Sequence, residues 1–117
     1  MGDSTKNREG DWGLIEADAT VLRPDEGGRE TPIFTGYRPN WQDAGTADLN
    51  RGLGFVEVIG ADELEPGSTG IIIINTAPRS LWLGLQSESR LDMCEGPKRV
   101  VARVTVRRVL REPTVDW

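Results

Sequence analysis

The chain has 117 residues, 37% of them hydrophobic, which suits a single domain with a modest core. Its 14 basic and 19 acidic residues give a net charge of −5, which disfavours non-specific attachment to nucleic acid or to an anionic membrane. It has no histidine and one cysteine, which excludes His-based catalytic pairs, His metal sites and an internal disulfide.

The two ends of the chain are predicted to lie outside the domain, which we place at residues 12–111. Residues 1–11 are polar and are expected to be disordered, and residues 112–117 form a short tail that proline interrupts. The first residues lack the apolar core of a secretory signal, and no apolar run approaches the ~20 residues that span a bilayer. We therefore expect a soluble, cytoplasmic protein without membrane contact.

The first predicted strand is "LIEADATVLR", in which apolar and polar residues alternate. Its apolar positions are Ile15, Ala17, Ala19 and Val21. The following "LRPDEGGRE" predicts a turn, because proline pre-sets φ and the pair Gly27-Gly28 permits positive φ.

Four later segments also predict strands: "GFVEVIG", "IIIINT", "SLWLGL" and "RVVARVTVRRVL". The isoleucine run is typical of a strand buried on both faces. In the last and longest strand, Val100, Ala102, Val104 and Val106 are expected to face inward. The doublet Arg107-Arg108 then predicts a bulge, after which Val109 or Leu110 returns to the core.

Helix signals are almost absent, since Pro66 and Gly67 limit "ADELEPG" to one helical turn at most. Six or seven short strands at this spacing predict an all-β domain, either a barrel or a sandwich. Closure into a barrel would remove the edges that such apolar strands otherwise expose.

Residues suited to catalysis or to cofactor binding are few. Cys94 lies between Asp92 and Glu95, and these carboxylates are expected to raise the pKa of its thiol and leave it inert. The glycines of "GGRETPIFTG" and "RGLGF" lack the spacing of a phosphate-binding loop and indicate turns. We therefore expect no enzymatic activity, no metal and no cofactor.

Basic residues concentrate at the end of the chain, where residues 98–117 carry six of them against two acidic ones. Arg99, Arg103, Arg107 and Arg111 recur at even spacing, so they form either a basic stripe that binds RNA or a surface that balances the acidic remainder. The second interpretation is favoured. Three aromatic residues lie close in sequence to Arg29 and Arg38: Phe34, Tyr37 and Trp41. They either stack on the bases of a nucleic acid or belong to the core or an interface, and the second interpretation is favoured.

One stretch also resembles a known family. The segment "DEGGRETPIFTGYRPNW" (25–41) is similar to "EEGGRxTPxFxGYRPQF", the start of the C-terminal β-barrel of bacterial elongation factor Tu. "LEPGSTG" and "RLDMCEGPKRVVARVTVRRVL" resemble later parts of that barrel, so the likeness covers about residues 13–111. This likeness implies a single six-stranded antiparallel closed β-barrel. The chain resembles the small stand-alone proteins built of this barrel alone. The GTPase domain has no counterpart in these residues, so we expect no GTP binding.

In that family the barrel contacts the T-stem of tRNA, and the resemblance can be followed residue by residue. The arginine of "GGR" matches Arg29, the glutamine after "YRP" becomes Asn40, and the "EG" of the last hairpin matches Glu95 and Gly96. Two departures weaken the likeness at this surface: the family's histidine after "GGR" is Glu30, and the arginine before "EG" is Cys94. Because a cation is lost and an anion gained, tRNA binding of the family type is expected to be impaired.

Two functions follow from these expectations. The first is a non-catalytic module that engages a protein partner. The partner is either a translation-related protein or a factor that recognises the parent domain, in which case the module acts as a decoy or immunity-type mimic. The alternative is RNA binding, of the tRNA T-stem type, through Arg29 and the basic last strand. The residues expected at the partner or RNA surface are Arg29, Arg38, Asn40, Trp41, Glu95, Gly96, Arg103 and Arg107.

Overall fold

A computed structural model describes residues 11–46, 49–96 and 99–115 of the chain. Six strands close into an antiparallel barrel in the order β1-β6-β4-β3-β7-β8, and β2 and β5 form a separate two-stranded sheet. The all-β, six-stranded closed barrel predicted from the sequence is thus confirmed. The strands are β1 (Gly13–Val21), β2 (Ile33–Phe34), β3 (Asn40–Asp43), β4 (Gly52–Ile59), β5 (Glu63–Leu64), β6 (Thr69–Thr76), β7 (Arg90–Glu95) and β8 (Arg99–Arg111).

The period-two pattern of β1 produces the buried face that the sequence predicts. Its four apolar positions, from Ile15 to Val21, are at most 1% exposed, and β1 pairs with both β6 and β8. In β6, Ile72 and Ile74 are fully buried while Ile71 and Ile73 are half-buried, so the isoleucine run is only partly covered on its outer side. The barrel interior therefore holds one continuous core of aliphatic side chains.

Register shifts in β8, two in its pairing with β1 and one in its pairing with β7, change which of its side chains face inward. The pairing with β1 skips Arg107, which confirms the predicted bulge, and Val109 packs against the core while Leu110 stays exposed. The shift in the pairing of β8 with β7 skips Val101. Because of this shift Val101 is fully buried and Val100 only half-buried, so the expectation that Val100 faces inward is wrong.

The prediction of a strand at "SLWLGL" is wrong. Ser80–Trp82 form a turn of 3₁₀-helix, and the chain reverses again at Gly84, whose φ is +89°. The leucine alternation therefore reflects an irregular loop, in which Leu81 is exposed while Trp82 and Leu85 are buried. Trp82 enters the barrel end, where its ring lies edge-on to Trp41 with the centroids 6.1 Å apart.

The turn after β1 uses its two glycines for different reasons. Pro24–Glu26 form a 3₁₀ turn closed by Gly27, which adopts a φ of +93°. Gly28 has no positive φ, yet a Cβ there would lie 2.2 Å from the carbonyl oxygen of Leu22. Gly27 thus supplies the conformation and Gly28 supplies the space for close backbone approach.

The expected disordered segment, residues 1–11, lies outside the described residues except for Asp11. The Asp11 carbonyl accepts a hydrogen bond from the Thr114 N–H at 2.8 Å, and Pro113 is buried. Of the expected tail, residues 112–115 are described, and this part packs beside the start of β1 at Gly13.

Candidate binding surfaces

Two residues of the sequence-predicted surface, Arg29 and Glu95, meet Tyr37 at the end of the last hairpin, and the three form the Arg29–Tyr37–Glu95 cluster. Glu95 ends β7, and the same carboxylate oxygen accepts hydrogen bonds from Arg29 Nη1 and from the Tyr37 hydroxyl. The guanidinium carbon of Arg29 also lies 4.8 Å from the centroid of the Tyr37 ring. The cluster joins the loop after β1, the segment before β3 and the end of β7.

The charges of the cluster stabilise one another. Burial acts to raise the pKa of Glu95, but hydrogen bonds from Tyr37 and Arg29 outweigh it and hold that pKa below its ordinary value. Burial and the carboxylate together raise the pKa of Tyr37 well above its ordinary value. Burial acts to lower the pKa of Arg29, and Glu95 more than compensates, so this pKa is raised. Arg29 and Glu95 therefore form a stable ion pair across the physiological pH range, and Tyr37 is a neutral hydrogen-bond donor over the same range.

The other two nitrogens of Arg29 also donate hydrogen bonds. Its Nε donates to the Thr31 carbonyl at 3.3 Å, and its Nη2 donates to the Thr31 hydroxyl at 2.7 Å. Beside it Arg99 donates to the carbonyls of Gly27 and Gly28, at 3.1 and 2.7 Å. Arg29 thus holds the loop after β1 in place, and its side chain is only 19% exposed, which leaves little of it for a phosphate.

A shallow depression of about 300 Å³ lies over this cluster, and its lining contains as many acids as arginines. Glu30 is exposed at its wall, where the resemblance would place a histidine next to phosphate. The lining residues are Arg29, Glu30, Thr31, Glu95 and Arg99. The depression is therefore poorly suited to an anionic ligand.

The arginines of β8 face acidic residues on neighbouring strands. Arg103 Nη1 lies 3.5 Å from the Asp92 carboxylate, and Arg107 lies 3.3 Å from Glu16 and 3.2 Å from Asp18. These contacts support the interpretation of a surface that balances acidic residues over that of a free basic stripe.

The other residues of the predicted surface differ in position and exposure; Asn40 and Gly96 neighbour the cluster, since Asn40 pairs with Cys94 and Gly96 follows Glu95. Trp41 is fully buried, and its indole N–H donates to the Gly54 carbonyl at 2.9 Å, so the expectation that it forms part of an exposed surface is wrong. Asn40 is half-buried at the start of β3, and Gly96 is exposed in the last hairpin with a φ of +67°. Arg38 is exposed, with its guanidinium carbon 5.5 Å from the centroid of the Phe55 ring.

Cys94 lies in the barrel wall and is fully buried. Burial raises the pKa of its thiol, and the Asp92 carboxylate adds to the effect, in the direction that the sequence predicts. Within residues 11–46, 49–96 and 99–115, no group of three or more Cys, Asp or Glu side chains is arranged to hold a metal ion.

A second surface, which sequence reasoning missed, is an apolar groove of about 390 Å³ at the barrel end that holds Trp82. We call it the Trp12 groove. Leu53 and Leu81, on its lining, are 46% and 48% exposed. It is lined by Trp12, Arg51, Gly52, Leu53, Ala77, Arg79, Leu81 and Trp82. No local signal in the sequence could have revealed it, because its lining comes from the start of β1, the start of β4 and the turn after β6.

Contacts from the rest of the chain hold Trp12 at the edge of this groove. Arg111 Nε donates to the Trp12 carbonyl at 2.9 Å, and the Trp12 ring lies 5.4 Å from the ring of Phe55. Arg38 stacks on the same Phe55 ring, so one aromatic ring separates this basic side chain from Trp12.

No model of a known protein family matches the chain. The likeness to the elongation factor Tu barrel thus stays a prediction that rests on the motifs quoted above, and the structure supplies the barrel fold alone. The part of the chain that the structure describes also contains no helix with the length and apolarity needed to cross a membrane.

Proposed function

We propose that the chain is a non-catalytic binding module, of the kind found as the C-terminal barrel of elongation factor Tu, and that it engages a protein partner. The observation that supports this function is the Trp12 groove, where Leu53 and Leu81 are about half exposed on either side of a tryptophan. Exposed apolar side chains gathered around a concavity are typical of surfaces that bind proteins.

The role of such a module would follow from its resemblance to a translation-factor domain. A small copy of that barrel can imitate the parent domain toward a translation-related protein, or act as a decoy for a factor that recognises the parent. Both roles require a protein interface and neither requires catalysis, which agrees with the burial of the thiol of Cys94.

RNA binding is the alternative, and the geometry favours it less. The cations on which it would depend already have partners within the chain: Glu95 for Arg29, and Asp92 for Arg103. Binding to phosphate would have to break these contacts, which lowers the net gain from each one. Arg38 is the member of the predicted surface that is exposed and stacked on an aromatic ring.

The experiment is affinity capture from a bacterial lysate, run in parallel with and without nuclease treatment, and followed by mass spectrometry and RNA sequencing of the bound fraction. Protein binding predicts the same enriched protein in both samples, with no gel shift of tRNA at low salt. Recovery of RNA alone, with an affinity that falls steeply as salt rises, would refute the protein-binding proposal in favour of the alternative.

A further inference from the structure

We propose that the Trp12 groove takes an acidic peptide segment that inserts one bulky apolar side chain between Trp12, Leu53 and Leu81. The inference rests on the proposed function, because it specifies the chemistry of the partner segment. It departs from the surface that the sequence predicts, since none of the residues expected there lines the groove.

The apolar part of the segment follows from the floor and walls of the groove. Trp82 forms a buried base that is 2% exposed, and the two leucines leave about half of their surfaces in water. An inserted Leu, Phe or Trp side chain would remove these surfaces from water, which is the main favourable contribution at such contacts.

The acidic part follows from the charges around the groove. Among the described residues, its lining includes two arginines and no acidic residue, in a chain whose net charge is −5. Asp43 pairs with Arg51 at 2.8 Å, whereas Arg79 is exposed and forms no ion pair with any residue of the described ranges. A second exposed cation, Arg38, is separated from Trp12 by the Phe55 ring. A carboxylate on the partner would therefore meet an unneutralised cation at this edge, which favours acidic over basic segments.

The groove is also formed before any partner arrives. Arg51 Nη1 donates to the carbonyls of Leu81 and Leu83, both at 2.8 Å, and so fixes the 3₁₀ turn against the start of β4. The indole N–H of Trp82 donates to the Leu53 carbonyl at 3.3 Å, which joins the base to one wall. Because these contacts already order the walls, binding has little conformational entropy to remove from this side of the interface.

The test uses fluorescein-labelled synthetic peptides and the full chain, with binding followed by fluorescence anisotropy. The probes are peptides of alternating Asp and Glu around one central Leu or Trp. In one control peptide Ser replaces the apolar residue, and in another Lys replaces every acid. We expect the acidic peptides with an apolar centre to bind at least about tenfold more tightly than either control. Their failure to bind at ~1 mM would overturn the proposal.

Variants of the chain locate the binding. Leu81→Ser and Arg79→Glu are each expected to weaken binding about tenfold, and the effect of the second should shrink as salt rises. The matched controls are Ile59→Ser and Arg90→Glu. Ile59 is an aliphatic residue about as exposed as Leu81, Arg90 is exposed like Arg79, and both lie outside the groove lining, so these variants should leave the affinity unchanged. Equal affinity in all four variants would overturn the proposal.

Nuclear magnetic resonance of the ¹⁵N-labelled wild-type chain gives a measurement that needs no variant. The peptide should shift the indole N–H signal of Trp12 and the amide signals of Leu53 and Leu81, while the amide signals of Ile59 and Arg90, which lie outside the groove lining, serve as an internal reference. Shifts confined to the Arg29–Tyr37–Glu95 cluster would contradict the assignment of the groove.

Two further outcomes separate this inference from the proposed function. Lysate capture of the same protein by wild type and by Arg79→Glu at equal yield would overturn the groove and leave protein binding in place. Concentration-dependent dimerisation that Leu81→Ser abolishes would also overturn it, because the occupant would then be a second copy of the chain.

Discussion

Removing the carboxylate of Glu95 is expected to destabilise the barrel by about 2 kcal/mol. The side chains of Glu95 and Arg29 are 28% and 19% exposed, which places their ion pair between two known limits. Exposed pairs contribute about 0–1 kcal/mol, and removing one partner of a fully buried pair costs about 3–5 kcal/mol. Glu95→Ala should therefore cost about 2 kcal/mol, and Glu95→Gln about 1 kcal/mol, since the amide oxygen can still accept a hydrogen bond.

Tyr37→Phe tests the other hydrogen-bond donor of the cluster and leaves the aromatic ring in place. The variant removes the hydroxyl that donates to Glu95 and keeps the ring that lies 4.8 Å from the Arg29 guanidinium. We expect a cost of about 1.5 kcal/mol, the lower end of the range for a hydrogen bond to a charged group. In the Glu95→Ala background the same change should cost clearly less, giving a coupling free energy of about 0.5–1 kcal/mol.

Urea denaturation followed by tryptophan fluorescence measures these costs, because Trp41 and Trp82 are buried and report loss of the core. Each 1 kcal/mol should also lower the thermal midpoint by about 4–8 °C for a domain of this size. Glu57→Gln is the matched control, since Glu57 is exposed on β4 and forms no ion pair within the described ranges. Its effect should stay within about 0.5 kcal/mol.

Two results would refute this reasoning about the cluster. One is an effect of Glu95→Ala no larger than that of Glu57→Gln, which would mean that the carboxylate acts as an ordinary surface charge. The other is strict additivity of Glu95→Ala and Tyr37→Phe, which would mean that the hydroxyl does not depend on the carboxylate for its hydrogen bond.

The parts of the fold that sequence reasoning predicted correctly are those that a local pattern determines. Alternation from Ile15 to Val21 identifies one buried face of β1, and the doublet Arg107-Arg108 identifies the bulge in β8. Each signal needs only neighbouring residues, because side-chain direction in a strand has a period of two.

The errors arise where tertiary contacts decide the local structure. The pair β2 and β5 contains two residues in each strand, and such short strands form only because the chain brings Ile33 opposite Leu64. In "SLWLGL" the decisive contact is that of Trp82 with Trp41 at the barrel end, a partner 41 positions away in the chain. Leucine alternation cannot distinguish this loop from a strand.

The candidate surfaces show the same division. The motif around Arg29 predicts a basic site, but Glu95, which is 66 positions away in sequence, pairs with this side chain, and Thr31 accepts two further hydrogen bonds from it. The Trp12 groove joins the start of β1, the start of β4 and the turn after β6, so no single stretch of sequence displays it. Side-chain availability is a property of the folded chain, and a motif reports only the residue type.

Three further changes test the same physical reading of the barrel. Because the pKa of Glu95 is lowered on folding, the carboxylate should stabilise the barrel fully above an ordinary carboxyl pKa of about 4.3, and this contribution should disappear as the pH falls through the lowered value. The difference in unfolding free energy between wild type and Glu95→Gln should therefore vanish in strong acid. A difference that stays constant with pH would contradict this expectation. Gly28→Ala should cost about 3 kcal/mol in the urea assay, since its Cβ would overlap the Leu22 carbonyl, and an unchanged midpoint would show that the backbone yields freely. Trp41→Phe should cost about 2–3 kcal/mol, because it leaves a gap in the core and removes the indole donor from the Gly54 carbonyl. If Trp41 were instead a surface residue, as its motif suggested, the same change would alter partner binding and leave the urea midpoint within about 0.5 kcal/mol of wild type.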